Sequence, residues 1–245
     1  MQVIILAAGV GRRLGDNAEG RPKCLLELGG KTLLCRHLRT LEEYPGVQVN
    51  IVTGYRQEEI INELTVINTN LTVRTIFNEN FTSGSIVSLW RAKDILQSGD
   101  DIILMDADVL YDKNILHRLM TTGFKNCFLL DREFEPGDEP VKLCIRNGIL
   151  VEFRKQISPD MCFDEQGESV GFFRFAPEIA ASLAHRTQEY INEQRREEPY
   201  EEAIRDLLLA DPESFSFEDI SGIPWIEIDF PEDIQRAENE ILTQL

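Results

Sequence analysis

Four basic residues follow the first apolar run of the sequence, inside a segment that also contains glycine. Val3–Leu6 has the composition of a buried strand, and Gly9 and Gly11 come directly after it. The four cations are Arg12, Arg13, Arg21 and Lys23. Glycine lets backbone N–H groups approach a ligand closely, and cationic side chains offset negative charge. The segment therefore predicts a binding loop for a small polyanion such as a phosphate chain.

The charge is unevenly distributed along the chain. The 245 residues carry a formal net charge of -18, yet residues 1–39 hold seven Lys or Arg and only three acids, a local charge of +4. The overall balance argues against binding to nucleic acid or to a membrane surface. The basic segment fits a small anionic ligand, although solvated surface charges would give the same count. Five widely spaced cysteines without a CxxC pair predict reduced thiols in a cytoplasmic protein.

Two later apolar runs also end in acidic residues. Ile102–Met105 is followed by Asp106 and Asp108, and Trp225–Ile228 is followed by Asp229. Carboxylates are costly inside a core, so we expect them to emerge at the carboxyl edge of the sheet. Side chains two residues apart on a strand point to the same side. Two structural alternatives remain open: Asp108 could cap a turn, and Asp229 could be the N-cap of a helix.

Two common phosphate-binding loops do not fit the glycine-containing segment. The dinucleotide fingerprint requires a third glycine where Leu14 stands, and an acid near the end of the second strand, where the sequence reads Val52-Thr53-Gly54. A Walker loop has the spacing of Gly15 and Gly20, but Arg21-Pro22 follows instead of lysine and a hydroxyl residue.

A third pattern fits. Leu6-Ala7-Ala8-Gly9-x-Gly11-x-Arg13-Leu14, with Pro22-Lys23 downstream, resembles the signature of the nucleotidyltransferases that activate sugar phosphates and phospho-alcohols. The resemblance implies a Rossmann-like, GT-A-like fold and a Mg²⁺ ion held by Asp108 and Asp229. It also implies that Arg13 holds the leaving pyrophosphate and that Lys23 steadies the reacting phosphates, so that the catalytic set is Arg13, Lys23, Asp108 and Asp229.

In the middle of the chain, Asn78, the Ser83-Gly84-Ser85 turn and Ser88-Leu89 resemble the base-recognition region of bacterial phosphocholine-type cytidylyltransferases, including phosphonate cytidylyltransferases. The partners then implied are CTP and a small phosphorylated or phosphonate acceptor. The nucleotide-binding residues would be Leu6, Ala7, Ala8, Gly9, Gly11, Arg12, Arg13, Lys23, Asn78, Gly84, Ser85, Ser88 and Asp106. The acceptor-binding residues would be Lys142, Lys155, Glu168 and Glu201.

Several alternatives remain open from the sequence. A sugar-1-phosphate uridylyl- or thymidylyltransferase would use the same machinery, and a catalytically silent nucleotide-binding protein could retain the fold. A quaternary ammonium acceptor would favour an aromatic box. The rings available for one are Trp90, Tyr111, Phe153, Phe172 and Trp225. The sequence does not indicate the acceptor or the oligomeric state.

Apolar runs alternate with helical patterns over the first half, which predicts an α/β fold with a doubly wound, mostly parallel sheet. The predicted strands are Val3–Leu6, Val47–Val52, Leu71–Phe77, Ile102–Met105 and Cys127–Leu130. The predicted helices between them are Lys31–Glu43, Gln57–Leu64, Ser85–Leu96 and Lys113–Thr122, with Ser85 as an N-cap. We expect one domain over residues 1–245, with 1–130 mainly binding nucleotide, 131–225 mainly binding acceptor and 226–245 closing the site.

The second half predicts a small hairpin and helical portion. Val141–Ile145 and Leu150–Lys155 flank Asn147-Gly148, a strong signal for a two-residue hairpin turn. The further elements predicted are a strand at Val170–Phe175, helices at Pro177–His185 and Tyr200–Leu209, a short strand at Trp225–Ile228 and a closing helix at Pro231–Leu242.

Overall fold

The computed structural model describes residues 1–14 and 20–245. Gly15, part of the rejected Walker spacing, lies outside the described residues. The strands are β1 (Gln2–Ala7), β2 (Glu27–Leu28), β3 (Lys31–Thr32), β4 (Gln48–Thr53), β5 (Thr72–Phe77), β6 (Ile102–Asp106), β7 (Val109–Tyr111), β8 (Cys127–Asp131), β9 (Lys142–Arg146), β10 (Ile149–Arg154), β11 (Glu165–Phe175), β12 (Ser216–Asp219) and β13 (Trp225–Glu227). The α-helices are α1 (Leu33–Leu41), α2 (Gln57–Ile67), α3 (Ser85–Arg91), α4 (Lys93–Leu96), α5 (Lys113–Thr121), α6 (Pro177–Asn192), α7 (Tyr200–Ala210) and α8 (Pro231–Arg236).

The central sheet confirms the predicted α/β fold. β6, β1, β4 and β5 lie side by side and parallel, with Leu6 opposite Asp106 on one neighbour and Val52 on the other. Parallel strands direct their carboxyl ends to one edge, so the loops after β1 and β6 emerge next to each other. The sheet is mixed beyond β6, because the long strand β11 runs antiparallel to β6, β8 and β9.

Both faces of the sheet are buried. In β1, Ile4 packs into a core with helices α3, α4, α6 and α7, whereas Val3 and Ile5 pack into a second core with α1, α2 and α5. Successive strand residues point to opposite faces, so a strand covered on both sides must be apolar throughout. The continuous apolar run at the start of the sequence has this cause.

The hairpin is present where the sequence predicts it. β9 and β10 pair antiparallel, and Asn147 and Gly148 form the turn with φ of +53° and +77°. Left-handed backbone at both turn positions matches the twist of the flanking strands, and asparagine and glycine tolerate it best. This hairpin extends the sheet on the side of β11, next to the carboxyl edge of β6.

Several local predictions are wrong. The N-cap of α3 is Gly84 rather than Ser85, whose Oγ instead accepts a hydrogen bond from the Tyr200 N–H at 2.9 Å. The predicted helix Ser85–Leu96 is interrupted at Ala92, and α6 continues beyond His185 to Asn192. The closing helix becomes a π-turn at Ala237–Ile241. The short strands β2, β3, β7 and β12 were not expected, and β3 takes the first two residues of the helix predicted at Lys31–Glu43.

The described residues form no helix that is both long and apolar enough to cross a membrane. All five cysteines are unpaired, and their reduced state stays a prediction. The division of the chain into nucleotide-binding, acceptor-binding and closing parts stays a prediction.

Candidate active site

A cavity of about 430 Å³ lies at the carboxyl edge of β1 and β6. Its walls come from the basic loop, the start of α3, the turn after β6, strand β11, the start of α7 and the end of β13. The predicted nucleotide-binding residues that line it are Leu6, Ala7, Ala8, Gly9, Gly11, Arg12, Arg13, Lys23, Ser85, Ser88 and Asp106. Residues from both ends of the chain therefore meet at one site.

Lys23 lies between the two predicted metal-binding aspartates. Its ammonium group donates a hydrogen bond to Asp108 Oδ2 at 2.9 Å and another to Asp229 Oδ1. Burial alone would lower the pKa of Lys23, but the two carboxylates outweigh this effect and hold the pKa above its ordinary value. The lysine therefore stays charged, and its position is fixed before any ligand arrives.

The local sequence explains how Lys23 reaches this position. It begins a short 3₁₀ turn whose next two residues, Cys24 and Leu25, are buried and anchor the turn in the core. Gly11 has a φ of +65°, and a Cβ at that position would lie 3.0 Å from Cγ of Lys23. Glycine is thus required at Gly11 both for its backbone conformation and for the close passage of the lysine stem.

Arg13 connects the basic loop to both halves of the site. Its guanidinium pairs with Asp229 at 2.9 Å and with Glu139 at 2.8 Å, and it lies over the ring of Phe230. Glu139 also accepts a hydrogen bond from Lys155 at 3.2 Å, which lowers its pKa. Because Glu139 bridges the two cations, an anionic ligand would compete with it for Arg13 and Lys155.

Three carboxylates are placed to hold a divalent cation. Single oxygen atoms of Asp108, Glu227 and Asp229 all lie within 4.8 Å of one another. Oxygen ligands of this kind suit Mg²⁺, which is usually bound by one or two carboxylates together with substrate phosphates. The Lys23 ammonium already sits against two of them, which shows that this position favours a cation. The three carboxylates therefore fit a Mg²⁺ ion.

Glu227 was not among the sequence-predicted ligands. It lies two residues before Asp229, a spacing that places both side chains on one face of an extended chain, as in the Asp106 and Asp108 pair. Although the side chain is open to the cavity, protein encloses it on its other sides, and this desolvation together with Asp108 and Asp229 raises its pKa to about 8. The repeated spacing of two was the signal that could have identified it.

Asp106 lies against β11 and the start of α7 and is not one of the three clustered carboxylates. Tyr200 donates a hydrogen bond to its Oδ2 at 2.6 Å. Gly171 has a φ of +78°, and a Cβ there would come within 2.3 Å of the same oxygen. Burial raises the pKa of Asp106 well above its ordinary value. Asp106 thus links β6 to β11 and to the start of α7.

Two of the predicted base-recognition residues lie behind the cavity wall. Asn78 is fully buried, and its Nδ2 donates to Ser88 Oγ at 3.0 Å. Gly84 packs so closely that a Cβ would lie 2.3 Å from the carbonyl oxygen of Glu198. Ser88 and Ser85 themselves face the cavity. Direct contact of Asn78 or Gly84 with a nucleotide stays a prediction.

The predicted acceptor residues divide into two pairs. Lys155 and Glu201 line the cavity. Lys142 does not, because its ammonium donates to the backbone carbonyls of Gly137 and Lys155, each at 2.6 Å. Glu168 lines a neighbouring acidic pocket, where burial and Asp131 raise its pKa to about 7. Roles for Lys142 and Glu168 in acceptor binding stay predictions.

Replacing Glu201 with glutamine is expected to stabilise the protein at high pH. Burial raises the pKa of Glu201 to about 7 from its ordinary value of 4.5. The unfolded chain therefore releases this proton at a lower pH than the folded protein does. As a result, the free energy of unfolding of the wild type falls as pH rises from 4.5 through 7. Allowing for partial solvent access, we expect Glu201→Gln to be more stable by about 1–2 kcal/mol at pH 8 and nearly equal below pH 4.5.

Urea unfolding of both proteins at pH 5 and pH 8 measures this difference. The charged groups that act on Glu201 are Lys155, which lowers its pKa, and Glu202 and Asp108, which raise it. Glu202→Gln is the matched control, because Glu202 is paired with Arg154 at 2.7 Å and its loss should destabilise the fold. Equal stability of wild type and Glu201→Gln at pH 8 would show that folding does not raise the pKa of Glu201, which would contradict this prediction.

The fold and the site define a nucleotidyltransferase, and comparison with known proteins agrees. Residues 3–153 match the family described as the MobA-like NTP transferase domain, and the chain belongs to that family. It is thus an NTP-dependent nucleotidyltransferase, as the loop and the strand-end aspartates indicated. Family members typically use a divalent metal ion, for which the cluster of three carboxylates is a possible site.

Similar individual proteins include two curated relatives and a solved structure. The CMP-5'-(3-aminopropyl)phosphonate synthase of Streptomyces rubellomurinus is 25% identical over 97% of this chain, which spans only 38% of that protein. The CTP:phosphoglutamine cytidylyltransferase of Campylobacter jejuni is 22% identical, over 96% of this chain and 98% of its own. The structure of a CTP:phosphocholine cytidylyltransferase from Streptococcus pneumoniae covers 98% of both chains, with 20% identity and a TM-score of 0.77.

Proposed function

We propose that this protein transfers CMP from CTP to a small phosphorylated alcohol or a phosphonate and releases pyrophosphate, in a reaction that depends on Mg²⁺. The observation that carries the proposal is the contact of the Lys23 ammonium with both Asp108 and Asp229 beside the glycine-containing loop. The choice of CTP is supported by the relatives, two of which are named for CMP or CTP chemistry. We place the reaction in the cytoplasm, where free cysteines stay reduced.

The reaction is an in-line displacement at phosphorus. A phosphoryl oxygen of the acceptor attacks the α-phosphorus of CTP and forms a new P–O bond. The bond from that phosphorus to the α–β bridging oxygen breaks, and its electron pair leaves with pyrophosphate. A phosphate or phosphonate is already anionic near neutral pH, so no general base is needed. Catalysis of this kind depends on positioning and on charge stabilisation.

The side chains of the cavity can supply both the positioning of the substrates and the stabilisation of charge. Lys23 is held at the edge of the cavity, where it would bind oxygens of the reacting phosphates as their charge redistributes. Arg13 would bind the leaving pyrophosphate when an anion displaces Glu139 from it. Asp108 and Asp229, with Glu227, would hold Mg²⁺, which would supply positive charge against the nucleotide phosphates.

Pyrophosphate release with each of the four NTPs and with dTTP tests the proposal. The acceptors to be compared are phosphocholine, phosphoethanolamine, 2-aminoethylphosphonate, inositol 1-phosphate and glucose 1-phosphate. We expect turnover with CTP, dependent on Mg²⁺ and on one of the first four acceptors. Preference for UTP or dTTP with glucose 1-phosphate would instead identify a sugar-1-phosphate transferase. No turnover with any pair, under conditions where CTP binds, would identify a catalytically silent nucleotide-binding protein.

A further inference from the structure

One carboxylate oxygen in the cavity wall has no hydrogen-bond partner. Among the residues that the structure describes, the buried side-chain atoms without a partner are Oε2 of Glu201 and three guanidinium Nε atoms, those of Arg36, Arg91 and Arg174. Glu201 is the only acceptor in that group. Buried polar atoms of native proteins are nearly always hydrogen-bonded, so an unsatisfied carboxylate oxygen in a ligand cavity indicates a donor that arrives with the ligand.

Glu201 lies where the candidate active-site cavity adjoins a second, larger pocket of about 600 Å³. The same five residues line both: Val141, Phe153, Lys155, Pro199 and Glu201. Three of them are apolar, and the other two carry opposite charges. The junction therefore presents one cation, one anion and an apolar surface to a ligand.

Neither charge at this junction is neutralised by a buried partner. In the described part of the chain, the Lys155 ammonium pairs with the exposed side chain of Glu139 at 3.2 Å, and no ion pair within 4 Å is found for Glu201. The neighbouring Glu202 differs, because Arg154 pairs with it at 2.7 Å. Of two adjacent glutamates, the described structure thus places Glu202 in a close ion pair and leaves Glu201, which lines the cavity, outside one.

We propose that this junction selects a zwitterionic acceptor, an aminoalkyl phosphate or phosphonate. Its ammonium N–H donates to Oε2 of Glu201, and its phosphoryl group lies toward Lys155. The short alkyl chain between them packs against the apolar residues of the junction. This inference rests on the proposed function, since it names the class of acceptor that the same site uses.

The junction does not suit a quaternary ammonium group. Such a group has no N–H to satisfy Glu201 and is usually bound by aromatic rings. Among the described residues, four aromatic residues line the candidate active-site cavity, namely Phe81, Phe153, Phe173 and Tyr200, but of these only Phe153 also lines the second pocket and so lies at the junction. The ring of Phe153 packs edge-on against Phe173, and that of Phe173 against Tyr200, so these rings contact one another. A neutral polyol phosphate would leave the charge of Glu201 uncompensated.

Calorimetric titration with three matched phosphonates tests the inference. The protein is loaded with Mg²⁺ and α,β-methylene-CTP, and the titrants are 2-aminoethylphosphonate, 2-hydroxyethylphosphonate and the N,N,N-trimethyl derivative of the first. We expect wild type to bind the primary amine about 10-fold to 100-fold more tightly than the other two, as for one charge-assisted hydrogen bond. Glu201→Gln should remove this preference, whereas Glu202→Gln should retain it.

The outcomes separate this inference from the proposed function. Equal binding of the three phosphonates by wild type, or an equal loss for all three in Glu201→Gln, would overturn the zwitterion assignment even if CTP is turned over. Selective binding of the primary amine without pyrophosphate release from CTP would support the assignment and overturn the proposed function. The affinity for nucleotide, measured in the same variants, should be unchanged, because the proposed contact of Glu201 is with the acceptor and not with the nucleotide.

Discussion

Lys23→Ala is expected to lower kcat by about 100-fold to 1,000-fold, the cost of removing one preorganised group that stabilises developing charge. Lys23 is the one side chain that contacts Asp108 and Asp229 together in the described part of the chain. Without it the two carboxylates repel each other, so the variant should also melt at a lower temperature in the absence of metal. Mg²⁺ should restore the melting temperature without restoring turnover.

Lys31→Ala is the matched control for this variant. Lys31 belongs to the same basic segment but is exposed and lies outside the cavity lining. Steady-state pyrophosphate release and thermal melts with and without Mg²⁺ measure both effects. Near-normal turnover in Lys23→Ala would remove the lysine from the catalytic set, and a similar loss in Lys31→Ala would mean that the general positive charge of the segment matters instead.

Asp108→Asn and Asp229→Asn should each lower kcat by about 100-fold or more, and the double variant should be little worse than either single one. The two carboxylates would hold the same ion, so the first substitution already removes most of what they do together. The oxygens lie within 4.8 Å of each other, which is close enough for one ion to bridge them. Single and double variants compared by kcat across a Mg²⁺ titration give the coupling free energy.

Glu232→Gln serves as the control for the aspartate pair, because Glu232 is an exposed acid three residues after Asp229. It should behave as wild type. If the losses of the two single variants add in full, expressed as free energies of activation, Asp108 and Asp229 act independently and the shared-metal arrangement is wrong. Glu227→Gln should fall in the same coupled group if it is a third ligand.

The parts of the fold that could be predicted were those with local causes. The parallel strands are continuous apolar runs because both faces are covered, and Asn147-Gly148 specifies its turn by backbone conformation alone. The loop motif and the strand-end aspartates indicated the edge of the sheet where the cavity lies. The strand restricts the position of the side chain at its end, so that position can be predicted once the strand is assigned.

The rest depended on contacts distant in sequence. Ser85 has the residue type of an N-cap, but the backbone N–H of Tyr200 uses its hydroxyl. Lys142 looks like a phosphate ligand until the loop carbonyls of Gly137 and Lys155 are seen around it. The unsatisfied oxygen of Glu201 could not be inferred either, because only the tertiary structure shows that Arg154 forms its ion pair with Glu202 and not with Glu201.

The contact between Lys23 and Asp229 joins residues 206 positions apart. Asp229 follows β13, a strand of three residues that pairs only with β7 in the described structure. Proteins are synthesised from the amino terminus, and distant contacts close late because ordering a long intervening chain costs entropy. A chain still on the ribosome can therefore form the parallel sheet and the basic loop well before it can complete the acidic cluster. We expect catalytic competence to appear only after Asp229 has been synthesised and β13 has paired with β7, later than the formation of the parallel sheet.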